Sequence, residues 1–521
     1  MLLWLASPHA AIPESPFDPA YSSLEELHAA LESHEVTSEQ LVRYYQARIE
    51  RLNRQGPHIN AVITLNPRAL QDAARLDAGR MPNGARRSLL FGIPFLAKDN
   101  FDTRGVATSG GAAALKSSVP QANAFVLQRL LDAGAILLGK TNMSELAASY
   151  GRLGYSSAGG LTLNPYDTAR NASGSSSGSA AAVAADFAPF ALGTDTSGSI
   201  RGPASVTGLV GLRPTLGLTS RSHVIPLSLT VDTTGALTRT VRDLAIVLDV
   251  MAAADPDDDA TRFQPPHRAS FLAALDTPGA SRALRGLRLG VITNFRRGNP
   301  EVDAIEDQAL RTLERQGAVL VPLTLPSAYE QLWPKLLGPI GEAEFRPQFE
   351  RYLRSLPDGQ PRTLAEFIAI SESPAIAGSA TPVNPGRLEA YRQADATSLT
   401  DSPTYIHLLT DSIPSIRREL EAQFRDRRLA AFVFATMSCP ASPRFDRADP
   451  TYLCRSDDPY KASYIAAAAG FPEISVPAGQ VAAHLPVGVS FLGPPYSEAG
   501  LLRLANAFQL ATPRISPPSV R

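Results

Sequence analysis

The sequence predicts an α/β protein built on one large mixed β-sheet covered by helices on both faces. Short apolar runs of about four to eight residues alternate along the chain with segments of helical periodicity, the pattern of strands and helices sharing one core. Several of those runs are apolar throughout, not at every second residue, which is how strands read when both faces are covered. A length of 521 residues, with 44% apolar and 19% charged, is enough for a sizeable core and gives an ordinary globular balance.

Taken in order, Ser22 to Glu25 and Thr37 to Gln40 each match a capping box and so each open an amphipathic helix. In the second, Leu41, Tyr44, Tyr45, Ile49 and Leu52 recur at helical spacing. Leu89 to Ala97 is a short apolar run whose Pro94 suits an edge or the start of a strand. Phe125 to Leu131 reads as helix and Ala135 to Gly139 as a buried strand. An Ala-rich helix over Gly178 to Ala185 is followed by a strand at Phe190 to Gly193, then by a helix from Thr240 to Met251. Leu287 to Ile292, Val319 to Leu323, Ala430 to Ala435, Ile474 to Val476 and Val487 to Leu492 supply further strands. Pro326 to Ser415 is rich in proline and reads as irregular loops between helices, of the kind that border binding sites. No stretch has the composition of a free linker, so 21–521 is expected to be one domain, with a variable helical and loop region at about 326–415 and an N-terminal extension over 1–20.

Composition excludes several classes. A formal net charge of −1 without a basic run makes nucleic acid an improbable partner. No apolar stretch approaches the ~20 residues of a membrane span. Cys439 and Cys454 show neither a disulfide framework nor a Cys-x-x-Cys metal spacing, and both are expected to be ordinary thiols. Met1 to Ala11 has a short apolar segment but no basic start. A cytoplasmic enzyme is expected, with a periplasmic or secreted one as the alternative if that segment is a truncated export signal.

Three stretches carry candidate chemistry. Ser199 follows the strand at Phe190 in a loop of small residues, where backbone N–H groups of Thr196, Ser197, Gly198 and Ser199 can converge on a developing oxyanion. A serine nucleophile needs a base. Lys98 closes the apolar run from Leu89, and burial there would disfavour its ammonium form; the competing reading pairs it with an acid such as Asp99. Ser175, in Gly174-Ser175-Ser176-Ser177-Gly178-Ser179, could relay a proton between the two. The same run also fits the G-x-S-x-G nucleophile elbow with Ser176 as nucleophile, for which His223, His267, His407 and His484 stand downstream.

Together, and in this order, these stretches resemble the amidase signature family of serine hydrolases. The likeness extends to Gly139-Lys140-Thr141-Asn142-Met143-Ser144-Glu145, Asn164-Pro165-Tyr166-Asp167, Gly211-Leu212-Arg213-Pro214-Thr215 and Asp232-Thr233-Thr234-Gly235. The Gly-Ser-Ser-Ser-Gly-Ser loop looks closest to the bacterial peptide amidase branch. The resemblance implies the amidase signature fold and an acyl-enzyme mechanism without metal or cofactor. It places the base on Lys98, the bridging serine on Ser175 after a cis Gly174–Ser175 bond, and the nucleophile on Ser199. Ser176, Asp195 and Arg201 match supporting positions, and histidine has no part. Ser173, Ser177 and Ser197 stand where the family has glycine. The implied substrates are peptide C-terminal amides or other small amides, with aryl amides, carbamates and esters as further candidates. Ala147, Ala148 and Ser149 are expected at the substrate pocket, and the protein is expected to be a monomer or homodimer. The alternative is a glutamine-hydrolysing component of an amidotransferase complex.

Overall fold

The computed structural model describes residues 17–79, 88–265, 269–277, 279 and 282–520. Residues 1–16, with the candidate export segment, and His267 lie outside the described residues. Eleven strands form the central sheet: β1 (Val62–Leu65), β2 (Pro94–Lys98), β3 (Ile136–Thr141), β4 (Phe190–Asp195), β5 (Val210–Arg213), β6 (Thr233–Thr238), β7 (Arg288–Ile292), β8 (Val319–Leu323), β9 (Ala431–Ala435), β10 (Glu473–Gln480) and β11 (Pro486–Leu492). Their spatial order is β1-β3-β2-β4-β6-β5-β10-β11-β9-β7-β8. The sheet is mixed as expected: β2 runs parallel to β3 and β4, β7 runs parallel to β8 and β9, and the remaining pairs are antiparallel.

Every residue of β2, β3, β4, β5, β6, β9 and β11 is buried. Because successive side chains point to opposite faces, both faces of the sheet are covered. The helix Ser177–Ala184 packs against β2, β4 and β6, and its small residues are buried on every side. Pro94 sits at the first residue of β2, where its missing N–H costs the ladder least. The helix Val241–Met251 starts where Thr240 Oγ1 accepts the Asp243 N–H at 3.0 Å.

Three expectations are corrected. The first capping box is Ser23 with Glu26, one residue later than read, and it opens the helix Leu24–Glu32. Two adjacent serines offered the same motif, and the register that buries Leu24, Leu27 and Ala30 prevails. The region from Pro326 is mostly helical: Gly338–Ser355, Leu364–Ser371 and Pro385–Ala396 are its longest helices before Ile413–Arg427. Pro374, Pro385 and Pro403 sit in the first turns of helices, where an absent N–H has no intrahelical partner to lose. These prolines start helices instead of breaking them. The insert has its own apolar cluster of Phe345, Phe349, Tyr352, Phe367 and Tyr391, which also takes in Leu146 and Ile225. Each such ring contributes about 1.5–3 kcal/mol on burial.

The third correction is that Cys439 and Cys454 form a disulfide, with Cα atoms 5.6 Å apart. The intervening loop doubles back along the strand Asp167–Asn171: Asn171 N–H donates to Ser442 O at 3.1 Å and Arg444 N–H to Ala169 O at 3.2 Å. That return brings together two thiols 15 residues apart.

Candidate active site

Lys98 is the last residue of β2, and β4, its parallel neighbour, leads into the loop that carries Ser199. Strand pairing of Ala97 with Leu192 sets Lys98 alongside the end of β4. Lys98 is wholly buried, and its Nζ lies 2.8 Å from Ser175 Oγ, 2.7 Å from Thr194 Oγ1 and 3.4 Å from Thr194 O. No carboxylate pairs with it among the described residues. Asp99, the competing partner, instead faces Lys140 at 3.6 Å and accepts from the Ser109 hydroxyl. Burial pulls Lys98 down to about 7 from the ordinary lysine value of 10.5, while the Asp195 and Asp232 carboxylates pull the other way. The amine is thus a base that can be neutral near neutral pH.

The Gly174–Ser175 peptide bond is cis, as the resemblance implies. Ser176 clasps the neighbouring loop: its N–H donates to Ser199 O at 3.1 Å and its Oγ to Thr194 O at 3.1 Å. Ser176 is fully buried with that hydroxyl already engaged. Among the described histidines, His223 faces Asp102 and His407 faces Asp411, so neither is beside Ser176. Among the described residues no histidine is hydrogen-bonded to Ser176, whose hydroxyl donates to Thr194 O.

The Ser199 loop is built around one carboxylate. Asp195 Oδ1 accepts the Gly198 N–H at 2.9 Å and Oδ2 accepts the Ile200 N–H at 3.0 Å. Arg201 holds both oxygens, at 2.8 and 3.0 Å, and reaches Glu473 at 2.5 Å; Arg213 adds a contact to Asp195 at 3.1 Å. Burial alone would raise Asp195, but Arg201 and Arg213 outweigh it and hold the carboxyl well below the usual range. All four side chains are fully buried, two cations against two anions. Asp195 and Arg201 thus hold the loop that carries Ser199. The Gly198 amide, expected to face an oxyanion, is instead engaged by Asp195. The φ of +125° at Gly198 is what the position demands, a conformation few L-residues adopt.

Ala147 borders a small cavity with Asn100, Thr194, Thr196, Leu227 and Asp232, next to the Lys98 partner Thr194. Ala148 and Ser149 lie on the run leading outward from it, half-buried. Asn384 of the insert holds this run by donating to Ser149 O at 2.8 Å and Tyr150 O at 3.1 Å. Sequence reasoning assigned no role to Thr194, Asn100 or Tyr460. Thr194 was within reach of it, being a hydroxyl at the end of a strand beside β2. Asn100, which donates to Thr194 Oγ1 at 3.0 Å, and Tyr460, 286 residues from Gly174, carry no local signal. Among the described residues no group of three or more His, Cys, Asp or Glu is placed to hold a metal ion. No helix among them is long and apolar enough to cross a membrane.

A family model described as Amidase matches residues 40–502. The chain belongs to the amidase family. This amidase-family chain is 37% identical to the peptide amidase of Stenotrophomonas maltophilia, whose crystal structure superposes with a TM-score of 0.85 over 97% of this chain and 100% of that one. It is 34% identical to a probable amidase of Arabidopsis thaliana, over 97% of this chain and 92% of the relative. It is 35% identical to a glutamyl-tRNA(Gln) amidotransferase subunit of Myxococcus xanthus, over 93% of this chain and 96% of the relative.

Proposed function

We propose that this protein is a serine amide hydrolase working through Lys98, Ser175 and Ser199. The observation that carries the reading is the Lys98 amine, buried without a carboxylate and 2.8 Å from Ser175 Oγ. In the neutral form Lys98 Nζ takes the Ser175 proton as Ser175 Oγ takes that of Ser199. Ser199 Oγ attacks the amide carbonyl, and the amides of Thr196, Ser197 and Ser199 receive the oxyanion. The proton returns by the same relay to the leaving nitrogen as the C–N bond breaks. Water, deprotonated through that relay, then attacks the ester carbonyl and frees Ser199.

Peptide C-terminal amides and other small amides are the substrates best supported, by the likeness to the Stenotrophomonas peptide amidase. The glutamine-hydrolysing alternative draws on the Myxococcus relative, but the solved glutamyl-tRNA(Gln) amidotransferase subunit of Thermotoga maritima superposes less well, with a TM-score of 0.71. The Cys439–Cys454 disulfide supports the periplasmic or secreted alternative over the cytoplasmic one, since structural disulfides persist in oxidising compartments. The test is ammonia or amine release across amidated peptides, amino-acid amides, glutamine, aryl amides, carbamates and esters, for wild type and Ser199→Ala. Amidated peptides are expected to lead, and Ser199→Ala to lose turnover with its melting temperature unchanged. Turnover surviving in the folded variant would overturn the mechanism; dominant glutaminase activity would favour the alternative.

A further inference from the structure

One side chain touches both serine loops. The Tyr460 hydroxyl accepts the Gly174 N–H at 3.3 Å, lies 3.2 Å from Gly174 O, and is hydrogen-bonded to Ser173 Oγ. Its ring fills the space beside the other loop. A Cβ on Gly198 would come within 2.9 Å of Tyr460 Cδ1, and one on Gly202 within 2.6 Å of Cε1. Tyr460 thus contacts the residue immediately before Ser175 and the residue immediately before Ser199. Burial pushes its hydroxyl up to about 12, so it keeps its proton and can donate.

Ser173 belongs to the same arrangement. Its φ is +61°, a left-handed conformation that favours glycine, and glycine is what the resemblance leads one to expect there. The serine in this chain brings a hydroxyl that glycine lacks, and that hydroxyl meets Tyr460.

We infer that Tyr460 is a positioning residue that sets the spacing between Ser175 and Ser199, and that the Ser173 hydroxyl completes its seat. The inference rests on the proposed triad. It leaves the ring packed on Gly198 and Gly202 as a spacer, and the hydroxyl as the tie to Ser173–Gly174. Removing only the hydroxyl should misplace the relay and leave both substrate binding and the Lys98 environment alone.

The test is steady-state hydrolysis of an amidated peptide by the full chain carrying Tyr460→Phe, Ser173→Ala, or Tyr460→Phe with Ser173→Gly. A misplacement on the order of 1 Å can cost about 100-fold, so Tyr460→Phe is expected to lower kcat roughly 10–100-fold. KM should stay within about twofold and the midpoint of the pH–rate profile should not move, neither of which a general loosening would preserve. The double variant should stay as slow as Tyr460→Phe, because glycine relaxes the left-handed turn at 173 but restores neither contact of the hydroxyl with Gly174; recovery of kcat there overturns the inference. If Tyr460→Phe fails to fold, Ser173→Ala carries the test, with the same loss of kcat expected. Wild-type kcat in the folded hydroxyl-deletion variant, or a rise in KM accounting for the loss, overturns the inference. Failure of the triad itself would show separately, as turnover by Ser199→Ala.

Discussion

Lowering the pH from about 9 to about 6 is expected to switch the enzyme off through a single buried amine. Lys98 falls from 10.5 to about 7, which corresponds to an energy on the order of 5 kcal/mol between its two protonation states, at about 1.36 kcal/mol per pH unit. At neutral pH an unperturbed lysine would be neutral in only about one molecule in 3,000, whereas here about half the molecules hold a free base. The logarithm of kcat/KM for an uncharged amide should therefore rise with unit slope below pH 7 and level off above it. The same burial has a cost in stability. Between about 7 and 10.5 the unfolded chain binds a proton at Lys98 that the folded chain does not, so stability contributed by this site rises with pH across that window. Lys98→Met should consequently be inactive yet more stable than wild type at pH 6, by up to a few kcal/mol, with the difference shrinking towards pH 10. The assays are initial rates across pH and urea unfolding of both proteins. A rate midpoint near 10.5, or a Lys98→Met protein less stable at pH 6, would refute the account of a desolvated base.

Three further outcomes are expected. A fluorophosphonate should label the wild type once, at Ser199 and not at the buried Ser176, and replacing His28, His223, His407 or His484 singly should leave that labelling intact; peptide mass mapping checks both. Arg201→Met should destabilise by about 3–5 kcal/mol in urea unfolding, because it leaves Asp195 and Glu473 buried with one cation fewer. Cys439→Ser with Cys454→Ser should lose about 3 kcal/mol, the loop-closure value for a crosslink spanning 15 residues, and a melting temperature equal to wild type would contradict it.

The sequence displayed the parts of the site that are local. Lys98, Ser175 and Ser199 each sit at a chain transition with its own signature: the end of an apolar run, a Gly/Ser loop opening an Ala-rich helix, and a small-residue loop after a strand. What joins them was not local. Thr194 reaches Lys98 through parallel strand pairing, and Tyr460 arrives from the far end of the chain. Gly198 was read as an oxyanion donor because small residues announce backbone convergence but do not say which amides Asp195 consumes. The prolines after Pro326 misled for a related reason: the first turn of a helix tolerates the residue that its interior rejects. The disulfide was hidden because a 15-residue separation says nothing about whether the loop between returns along a neighbouring strand.

The helical region after Pro326 holds two loops that border the small cavity beside Thr194. Arg387 and Asn384 hold the main chain of Leu146, Ser149 and Tyr150, and Tyr391 reaches Glu145. On the other wall Glu344 accepts from Ser228 Oγ at 2.7 Å, from Thr230 N–H at 3.2 Å and from the Tyr405 hydroxyl at 2.9 Å. Lys98, by contrast, is held by residues of the sheet and its immediate loops. On the proposed reading, such a division lets recognition evolve at a different pace from reaction. If Lys98, Ser175 and Ser199 form the proposed relay, substitutions in the helices from Gly338 to Ala396 would reshape both walls while leaving its distances alone, so a lineage could change its diet without rebuilding its chemistry.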